Sequence, residues 1–194
     1  MNDTLNVRVG LVAWFAVALL ASAAGFLARL HPPVPQVIVF VLTLAVIVAE
    51  RRVPAVNAHV ASLGTRVLVA FHLSRFVGIA FLVLGSRGLL PADFAVPAGW
   101  GDIAVAALAG VVLLVGGDPR GPRRGLWIAW NTLGLLDLVF VVANAARHAL
   151  AAPDAMQGML RLPMSLLPFF LVPILLATHV WIFRRLLGRD ESAS

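Results

Sequence analysis

The chain lacks three residue types that carry much of protein chemistry: it has no cysteine, no tyrosine and no lysine. Without cysteine there is no disulfide, thiolate-bound metal or thiol nucleophile, and without tyrosine there is no phenol to donate a proton. Without lysine, no retinal or substrate carbonyl can be held as a Schiff base. Charge is also scarce, because only 12% of the 194 residues are charged, about half the fraction in a typical soluble domain.

Apolar residues are correspondingly abundant. They make up 61% of the chain, and the mean hydropathy is +0.96, whereas soluble domains are about 45–50% apolar. This excess of apolar surface needs lipid around it rather than a larger soluble core. The net charge is +6, but the arginines lie at the ends of apolar runs, which is typical of membrane topology and not of nucleic-acid binding. We therefore expect one integral membrane domain over residues 1–194.

Apolar runs of about 20 residues mark membrane-spanning helices, and the chain has six. They predict an all-α transmembrane six-helix bundle whose short loops place neighbouring helices antiparallel. The predicted spans cover residues 9–30, 33–49, 64–84, 98–115, 126–146 and 163–183. The first run also fits a signal peptide cleaved at Ala21-Ser22-Ala23. However, it continues through Ala28 and only Arg8 precedes it, so we predict a retained span.

Arginines are distributed unequally between the two sides of this bundle. Ten flank the side that holds both chain ends, and four flank the other. The positive-inside rule therefore predicts cytoplasmic N and C termini. At this Arg-rich face we expect contacts with anionic lipid headgroups and no nucleic acid partner. The tryptophans are predicted to anchor the spans at the membrane interfaces, with Trp14, Trp127, Trp130 and Trp181 near the cytoplasmic face and Trp100 near the opposite one.

Two opposite charges lie at matching depth inside the predicted spans. Arg75 is about 11 residues into span 3 and Asp137 about 11 residues into span 5, so each lies about 16 Å deep at about 1.5 Å per residue. Inserting such a charge costs about 2.5–3.5 kcal/mol unless it is paired or hydrated. We predict that Arg75 and Asp137 form an ion pair, which either only fixes helix register or belongs to a ligand site or proton path.

Two histidines are predicted in the cytoplasmic half of the membrane. His72 lies three residues before Arg75, and His179 lies near the cytoplasmic end of span 6. Facing histidines can ligate a haem or a metal, but we favour two unrelated histidines, one hydrogen-bonded in the core and one near the interface. We predict no cofactor and no metal site, and keep a haem on His72 and His179 as the alternative.

Span 5 carries further polar residues. Asn131 lies near the level of His179. Asn144 follows Asp137 by seven residues, so Asn144 and Asp137 share one helix face with Trp130. This polar stripe is predicted to face the bundle. It either joins the ligand or proton path or only provides hydrogen bonds between helices.

The segment Leu90–Asp102 contains two prolines, then two glycines around a tryptophan. This composition predicts a segment that is not regular helix throughout and that re-enters the outer leaflet before span 4. Asp102 is then predicted to open span 4, either to complement the helix dipole or as an acid at the mouth of a cavity.

Small residues and prolines predict the helix geometry elsewhere. Close helix contacts are expected at Ala21 with Gly25 and at Ala106 with Gly110, because each pair is one turn apart. A kink is expected in span 6, where internal prolines remove backbone hydrogen bonds.

Three stretches resemble a family of uncharacterised bacterial integral membrane proteins: Leu90–Asp102 (LPADFAVPAGWGD), Trp130–Asp137 (WNTLGLLD) and Leu167–His179 (LPFFLVPILLATH). The resemblance covers roughly the last two thirds of the chain. It implies a compact helical fold in a bacterial inner membrane, and it implies no catalytic residue. The motifs include Asp102, Asn131, Asp137 and His179, which supports a shared intramembrane site.

Together these patterns favour a membrane protein with a polar cavity lined by spans 3 to 6 that moves a small solute together with protons. Arg75 and Asp137 are its predicted centre, with Asp102 toward the outside and His179 toward the cytoplasm. Three alternatives stay open: a redox protein that binds haem or quinone, a non-catalytic subunit or scaffold, and an intramembrane enzyme that acts on a lipid. Self-association of the chain is a further expectation.

Overall fold

The computed structural model describes residues 2–188, and every regular element in that range is a helix. The longer α-helices are α1 (Asn2–Ala23), α2 (Val34–Arg52), α6 (Ala92–Val115), α7 (Arg124–Ala151) and α8 (Val172–Leu187), and the shorter ones are α3 (Pro54–Ser62), α4 (Thr65–Phe71) and α5 (Gly78–Ser86). A 3₁₀ segment, His72–Val77, joins α4 to α5, and a π-helical turn, Leu167–Leu171, precedes α8. Short 3₁₀ turns cover Leu27–Arg29 and Pro153–Met159.

Six helical stretches within the described range are long and apolar enough to cross a membrane. They are Thr4–Ala23, Val34–Arg52, Thr65–Ser86, Ala92–Val115, Arg124–Ala151 and Leu167–Leu187. The prediction of an all-helical chain with six apolar spans is therefore confirmed, with bounds that shift by several residues.

The first span ends earlier than predicted because Gly25 caps it. Gly25 adopts the left-handed conformation, with φ of 65°. The amide of Phe26 donates to the Ala21 carbonyl at 2.9 Å, and the amide of Gly25 donates to the Ser22 carbonyl at 3.0 Å. This hydrogen-bond pair is a Schellman motif, which ends a helix. No atom lies within 4 Å of the place where a Gly25 side chain would begin, so its predicted role in a helix contact is wrong.

The prediction for the segment before span 4 is also corrected. A continuous helix begins at Ala92 and contains Pro97, so Asp102 lies in its third turn rather than at its start. Pro97 has no amide hydrogen to offer the carbonyl of Asp93, one turn earlier. Asn144 of α7 donates to that carbonyl instead, at 3.4 Å. A neighbouring helix thus satisfies the group that proline frees, and the helix continues through it.

Span 6 contains an irregular turn at the expected place, the π-helical turn Leu167–Leu171, which includes Pro168 and is followed by Pro173 in the first turn of α8. The kink itself stays a prediction. Pro173 cannot donate to the carbonyl of Phe169, and the indole Nε1–H of Trp14 donates to it at 3.0 Å. Trp14 also packs edge-on against Phe170. The indole N–H of Trp14 is therefore used between helices, and its anchoring at the membrane interface stays a prediction.

Three other tryptophans are buried rather than interfacial, which corrects the same prediction. Trp127, Trp130 and Trp181 belong to one hydrophobic core with residues of α4, α6 and α8. The indole of Trp130 donates to the Val105 carbonyl at 3.1 Å, and that of Trp127 donates to the Gly116 carbonyl at 3.2 Å. Because the indoles of Trp127 and Trp130 have hydrogen-bond acceptors inside the bundle, their rings can be buried there. Trp100, by contrast, is 61% exposed.

Contacts between neighbouring elements are found at both ends of the bundle. At the Arg-rich face, Arg66 donates to the Gly117 carbonyl at 3.1 Å, and Arg184 pairs with Glu50 at 2.6 Å. At the opposite face, the amide of Gly158 donates to the Leu89 carbonyl at 3.2 Å. Arg189, one of the ten arginines counted for the cytoplasmic side, lies outside the described residues.

The closest approach between α5 and α6 uses glycines that the sequence prediction did not include. A side chain at Gly78 would begin 2.5 Å from the Gly99 carbonyl oxygen and 2.8 Å from Cβ of Asp102. Ala106 is fully buried, but no atom lies within 4 Å of where a Gly110 side chain would begin. The predicted contact at Gly110 is wrong, because α5 meets α6 about two to three turns earlier.

Candidate functional site

The centre of the site is the buried guanidinium of Arg75, which lies in the 3₁₀ segment. Its Nε donates to Asp102 Oδ1 at 2.6 Å, its Nη1 donates to the Gly134 carbonyl at 2.8 Å, and its Nη2 donates to Asp137 Oδ2. The predicted contact between Arg75 and Asp137 is present. Asp102, which was predicted to lie outward of this pair, instead binds the same guanidinium. We refer to Arg75, Asp102 and Asp137 as the ion cluster.

The ion cluster has one carboxylate more than it has cations. Arg75 is fully buried, and the side chains of Asp102 and Asp137 are 7% and 19% exposed. With both carboxylates ionised, the cluster carries a net charge of minus one in an apolar interior. Two carboxylates that share one site disfavour double ionisation. The cluster is therefore neutral only when it takes up a proton or a second cation.

Glycines in the facing helices make room for the two acids. At Gly101, a Cβ would overlap Asp137 Oδ1, so the absence of a side chain lets the carboxylate lie against the backbone of α6. Gly78 does the same for Asp102 across the α5–α6 contact. The sequence contains a signal for this close approach, because a glycine stands next to an acid inside an apolar run (Gly101-Asp102). The sequence prediction did not use it.

A second polar group, the His72–His179 pair, lies one turn closer to the Arg-rich face. The ring centroids are 4.2 Å apart, and both side chains are fully buried. His72 Nε2 lies 3.0 Å from Thr178 Oγ1, and His179 Nδ1 lies 2.8 Å from Asn131 Oδ1. Asn131 Nδ2 in turn donates to the His179 carbonyl at 3.0 Å. The predicted proximity of Asn131 and His179 is present, whereas Thr178 was missed.

The hydrogen-bond network assigns a tautomer to each histidine. Thr178 gives its single hydroxyl proton to the Leu175 carbonyl at 2.8 Å, so its oxygen accepts from His72 Nε2–H. The amide oxygen of Asn131 can only accept, so His179 carries its proton on Nδ1. The remaining nitrogens, His72 Nδ1 and His179 Nε2, are buried without a hydrogen-bond partner. Two unused proton-accepting positions thus lie next to the ion cluster.

This arrangement does not fit a haem on His72 and His179. A haem iron held by two histidines has the porphyrin between their rings, but here the rings contact each other directly. Within the described residues, no group of three or more His, Asp or Glu side chains is placed to hold a metal ion.

A cavity of about 310 Å³ opens at the opposite face and ends at the ion cluster. Its mouth lies between the α1–α2 and α7–α8 connections, where it is lined by His31, Gln36 and Asp154, and its floor is formed by Arg75 and Asp102. The wall between mouth and floor is mostly apolar and includes Phe81, Leu138, Val141, Met156, Leu171 and Leu175. Ligand pockets in proteins are about 300–1,000 Å³, so this main cavity has room for a small molecule.

Asn144 lies in a different place from the rest of the predicted path. Its Oδ1 accepts hydrogen bonds from Arg147 at 3.2 and 3.0 Å, and its Nδ2 binds the Asp93 carbonyl. Asp93 Oδ2 lies 3.3 Å from His148 Nε2 and 3.6 Å from Arg147. These residues form a cluster near the opposite face, about 10 Å along α7 from Asp137, in which Asp93 and Arg147 are exposed and Asn144 and His148 are buried. Sharing a helix face with Asp137 did not bring Asn144 to the ion cluster.

Glu50 is a buried acid that the sequence prediction missed. Its side chain is 7% exposed and accepts hydrogen bonds from Arg184 at 2.6 Å and from Asn57 at 3.3 Å. Arg51 and Arg52 follow it directly, and such a run of charges is typical of a solvated surface. The signal against that interpretation was its position directly after an unbroken apolar run.

The fold and site define a multi-pass helical membrane protein with a buried ion cluster at the inner end of a cavity. A family described as Domain of unknown function (DUF8737) matches residues 32–187, and the protein belongs to this family. The matched range includes the ion cluster, the His72–His179 pair and most of the cavity wall. No curated protein and no solved structure matches the chain, so its function has to be argued from the geometry of the site.

Proposed function

We propose that the protein moves a small, mostly apolar cation across the membrane in exchange for a proton. The observation that carries this proposal is the main cavity, which reaches from the opposite face to the ion cluster. A transporter that alternates access between two sides needs a central site reached from one side at a time.

The chemistry of the cavity supports the class of solute. Its wall is apolar between a polar mouth and a charged floor, so a bound molecule buries hydrocarbon along the wall and places a polar group at Arg75 and Asp102. Because the ion cluster has an excess of one carboxylate, a cation and a proton compete for the same negative charge. Binding of one then releases the other, which is the requirement for exchange.

The residues beyond the cluster support the proton path. His72 Nδ1 and His179 Nε2 are unoccupied proton acceptors between the ion cluster and the Arg-rich face. Histidine side chains serve as proton relays in membranes. The buried Trp127, Trp130 and Trp181 close this half of the bundle to larger molecules.

The helix irregularities support a change of access. The 3₁₀ segment carries Arg75, and the π-helical turn at Leu167–Leu171 lines the main cavity. Such irregular turns often mark hinges and functional sites. If the Arg-rich face is cytoplasmic, as the positive-inside rule predicts, then the cavity faces the outside of the inner membrane in this state.

Binding can be tested with three probes that share one apolar skeleton: adamantyltrimethylammonium, adamantanol and adamantanecarboxylate. We expect the cation to raise the thermal unfolding midpoint of the purified protein more than the other two probes. Asp102→Asn removes the excess charge and should weaken cation binding by about tenfold or more, whereas Asp118→Asn makes the same change at an exposed loop. Equal effects of the three probes, or equal loss in both variants, would contradict the proposal.

Exchange can be tested by counting protons. Calorimetric titration of the cation in buffers of different ionisation enthalpy should show release of up to about one proton per bound cation, and none for Asp102→Asn. In liposomes, a pH gradient should accelerate uptake of the radiolabelled cation by the wild type only. Cation binding without proton release, and uptake that ignores the gradient, would rule out exchange.

A second candidate function, a non-catalytic membrane subunit, is favoured by one surface. Trp100 is 61% exposed, and the adjacent Gly101 contacts Asp137, whose side chain retains 19% exposure. A partner helix would cover this part of α6 and α7. Native mass spectrometry of a mild detergent extract tests it, because a subunit should carry a partner in fixed ratio that Trp100→Ala releases.

A further inference from the structure

One oxygen of the ion cluster is open to surroundings other than the main cavity. Asp137 Oδ2 binds Arg75, but Oδ1 accepts no hydrogen bond from the described residues. No atom of Asp137 is among the buried polar atoms that lack a partner, so Oδ1 is exposed at the protein surface. Arg75 and Asp102 line the main cavity, whereas Asp137 does not. The two acids of the cluster are therefore reached from different directions.

The neighbours of Asp137 show where this opening lies. Leu133 is four residues before it and Phe140 three residues after it on α7, so both share its helix face, and both are about half exposed. On α6, Gly101 has no side chain to cover Oδ1, and Ala104, one turn further on, is exposed. We call the space bounded by these residues the lateral gap. It lies on the outer wall of the bundle, between α6 and α7.

The lateral gap lies at the level of the hydrocarbon. Asp137 is at the middle of α7 (Arg124–Ala151), about 20 Å from either end, and α7 is one of the stretches long and apolar enough to cross a membrane. An ionised oxygen exposed at this level is costly, because it has neither water nor a hydrogen-bond donor. Since the ion cluster has one carboxylate in excess, a proton on Oδ1 removes both the exposed charge and the net charge of the cluster.

We propose that the lateral gap binds neutral, lipid-soluble amines, which Asp137 recognises through the proton on Oδ1. Such an amine dissolves in the hydrocarbon and accepts this proton, so that an N–H bond forms as the O–H bond breaks. The ammonium–carboxylate pair that results adds no net charge, and Leu133 and Phe140 contact the apolar part of the amine. The proposal goes beyond the transport function, because this ligand comes from the lipid and does not use the main cavity.

Labelling with dicyclohexylcarbodiimide, a lipid-soluble reagent for protonated carboxyl groups, tests the opening of the gap. The carboxyl proton moves to one nitrogen of the reagent while Oδ1 bonds to its central carbon, and the adduct rearranges to a stable N-acylurea that keeps every atom. Peptide mass spectrometry of the full-length protein in liposomes locates the adduct. We expect it on Asp137 and not on Asp118 or Asp154, which are exposed acids at the two faces. An unlabelled Asp137 overturns the proposal.

Protection from labelling tests recognition of the amine. At saturation, N,N-dimethyladamantan-1-amine should slow the labelling of Asp137 by about tenfold or more, because the occupied carboxylate has given up its proton. Adamantane and adamantanol share the skeleton but not the basic nitrogen, and they should protect far less. Equal protection by all three compounds would show a generic apolar surface and overturn the proposal. Adamantyltrimethylammonium cannot accept a proton, so a failure of that ion to bind contradicts the transport function and leaves the lateral gap in place.

Matched variants of α6 locate the route. Ala104→Phe fills the lateral gap and should remove most of the labelling of Asp137. Leu108→Phe, an exposed position one turn further on, adds a ring outside the gap and should leave the labelling unchanged. Equal labelling of the two variants overturns the lateral route. Labelling of the purified protein but not of the protein in its native membrane would mean that a partner covers the gap, which also overturns the proposal.

Discussion

The half of the bundle next to the Arg-rich face, here called the filled half, is packed around large side chains and has a cavity of about 290 Å³ at its Arg-rich end. The opposite half encloses a cavity of about 310 Å³ that reaches the ion cluster. Trp127, Trp130 and Trp181 pack with α4 and α6 in the filled half, while the corresponding space in the other half is bounded by apolar side chains around a void. The ion cluster lies at the boundary between the two. The interior is therefore close-packed around the tryptophans and open on the other side of the ion cluster.

The largest effect is expected when the positive charge of Arg75, between the two halves, is removed. Arg75→Met leaves Asp102 and Asp137 without their cation, so the free energy of unfolding should fall by about 3–5 kcal/mol. The matched control combines Arg75→Met with Asp102→Asn and Asp137→Asn, which removes the buried charges and should recover most of the loss. Thermal unfolding in detergent measures both. A single variant as stable as the wild type would show that the cluster is not a coupled unit.

A second test compares two buried residues of equal size, one in each half. Ile182 is fully buried in the filled half, and Leu138 is 2% exposed and lines the main cavity. Ile182→Ala should lower the free energy of unfolding by about 2–5 kcal/mol, because it creates a cavity in packed surroundings. Leu138→Ala should cost less, because one side of Leu138 already faces a void. Equal losses in the two halves would mean that the cavity is filled or collapsed in the folded protein.

The smallest expected effect distinguishes two glycines of α6. Gly101→Ala places a methyl group on the Asp137 carboxylate and should destabilise the protein by about 1–3 kcal/mol. Gly110→Ala meets no atom within 4 Å and should be neutral or stabilise the helix by about 0.5–1 kcal/mol. Thermal unfolding of both variants in one detergent checks the difference, and a Gly101→Ala variant as stable as Gly110→Ala would place Asp137 outside the cluster.

The relative level of residues on neighbouring helices could be predicted from the sequence, because apolar runs and a fixed helical rise set it. For this reason Arg75 was correctly matched with Asp137, and Asn131 with His179. Rotation about the helix axis and helix packing could not be predicted in the same way. Asn144 shares a face with Asp137 but binds Arg147, and Asp102 reaches Arg75 because α6 starts before Pro97 rather than after it.

The cavity and the burial of the tryptophans could not be predicted from the amino-acid composition of the helices. A void is defined by side chains that do not meet, and nothing in a run such as Leu138 to Val142 says whether another helix fills the space beside it. The prediction used the usual position of tryptophan in membrane proteins, which is the interface. Trp130 instead donates to a backbone carbonyl at 3.1 Å inside the bundle. Such acceptors depend on three-dimensional packing rather than on neighbours in the chain.

The 3₁₀ segment His72–Val77 has a geometric consequence for the two polar groups it joins. A 3₁₀ helix turns by about 120° per residue and an α-helix by about 100°. Rewinding this segment as α-helix would swing Arg75 by about 60° relative to His72 over the three residues between them. The guanidinium would then leave the carboxylates while the imidazole kept its place. A change in this one short stretch of backbone would thus move the positive charge of the ion cluster without moving the histidine beside it.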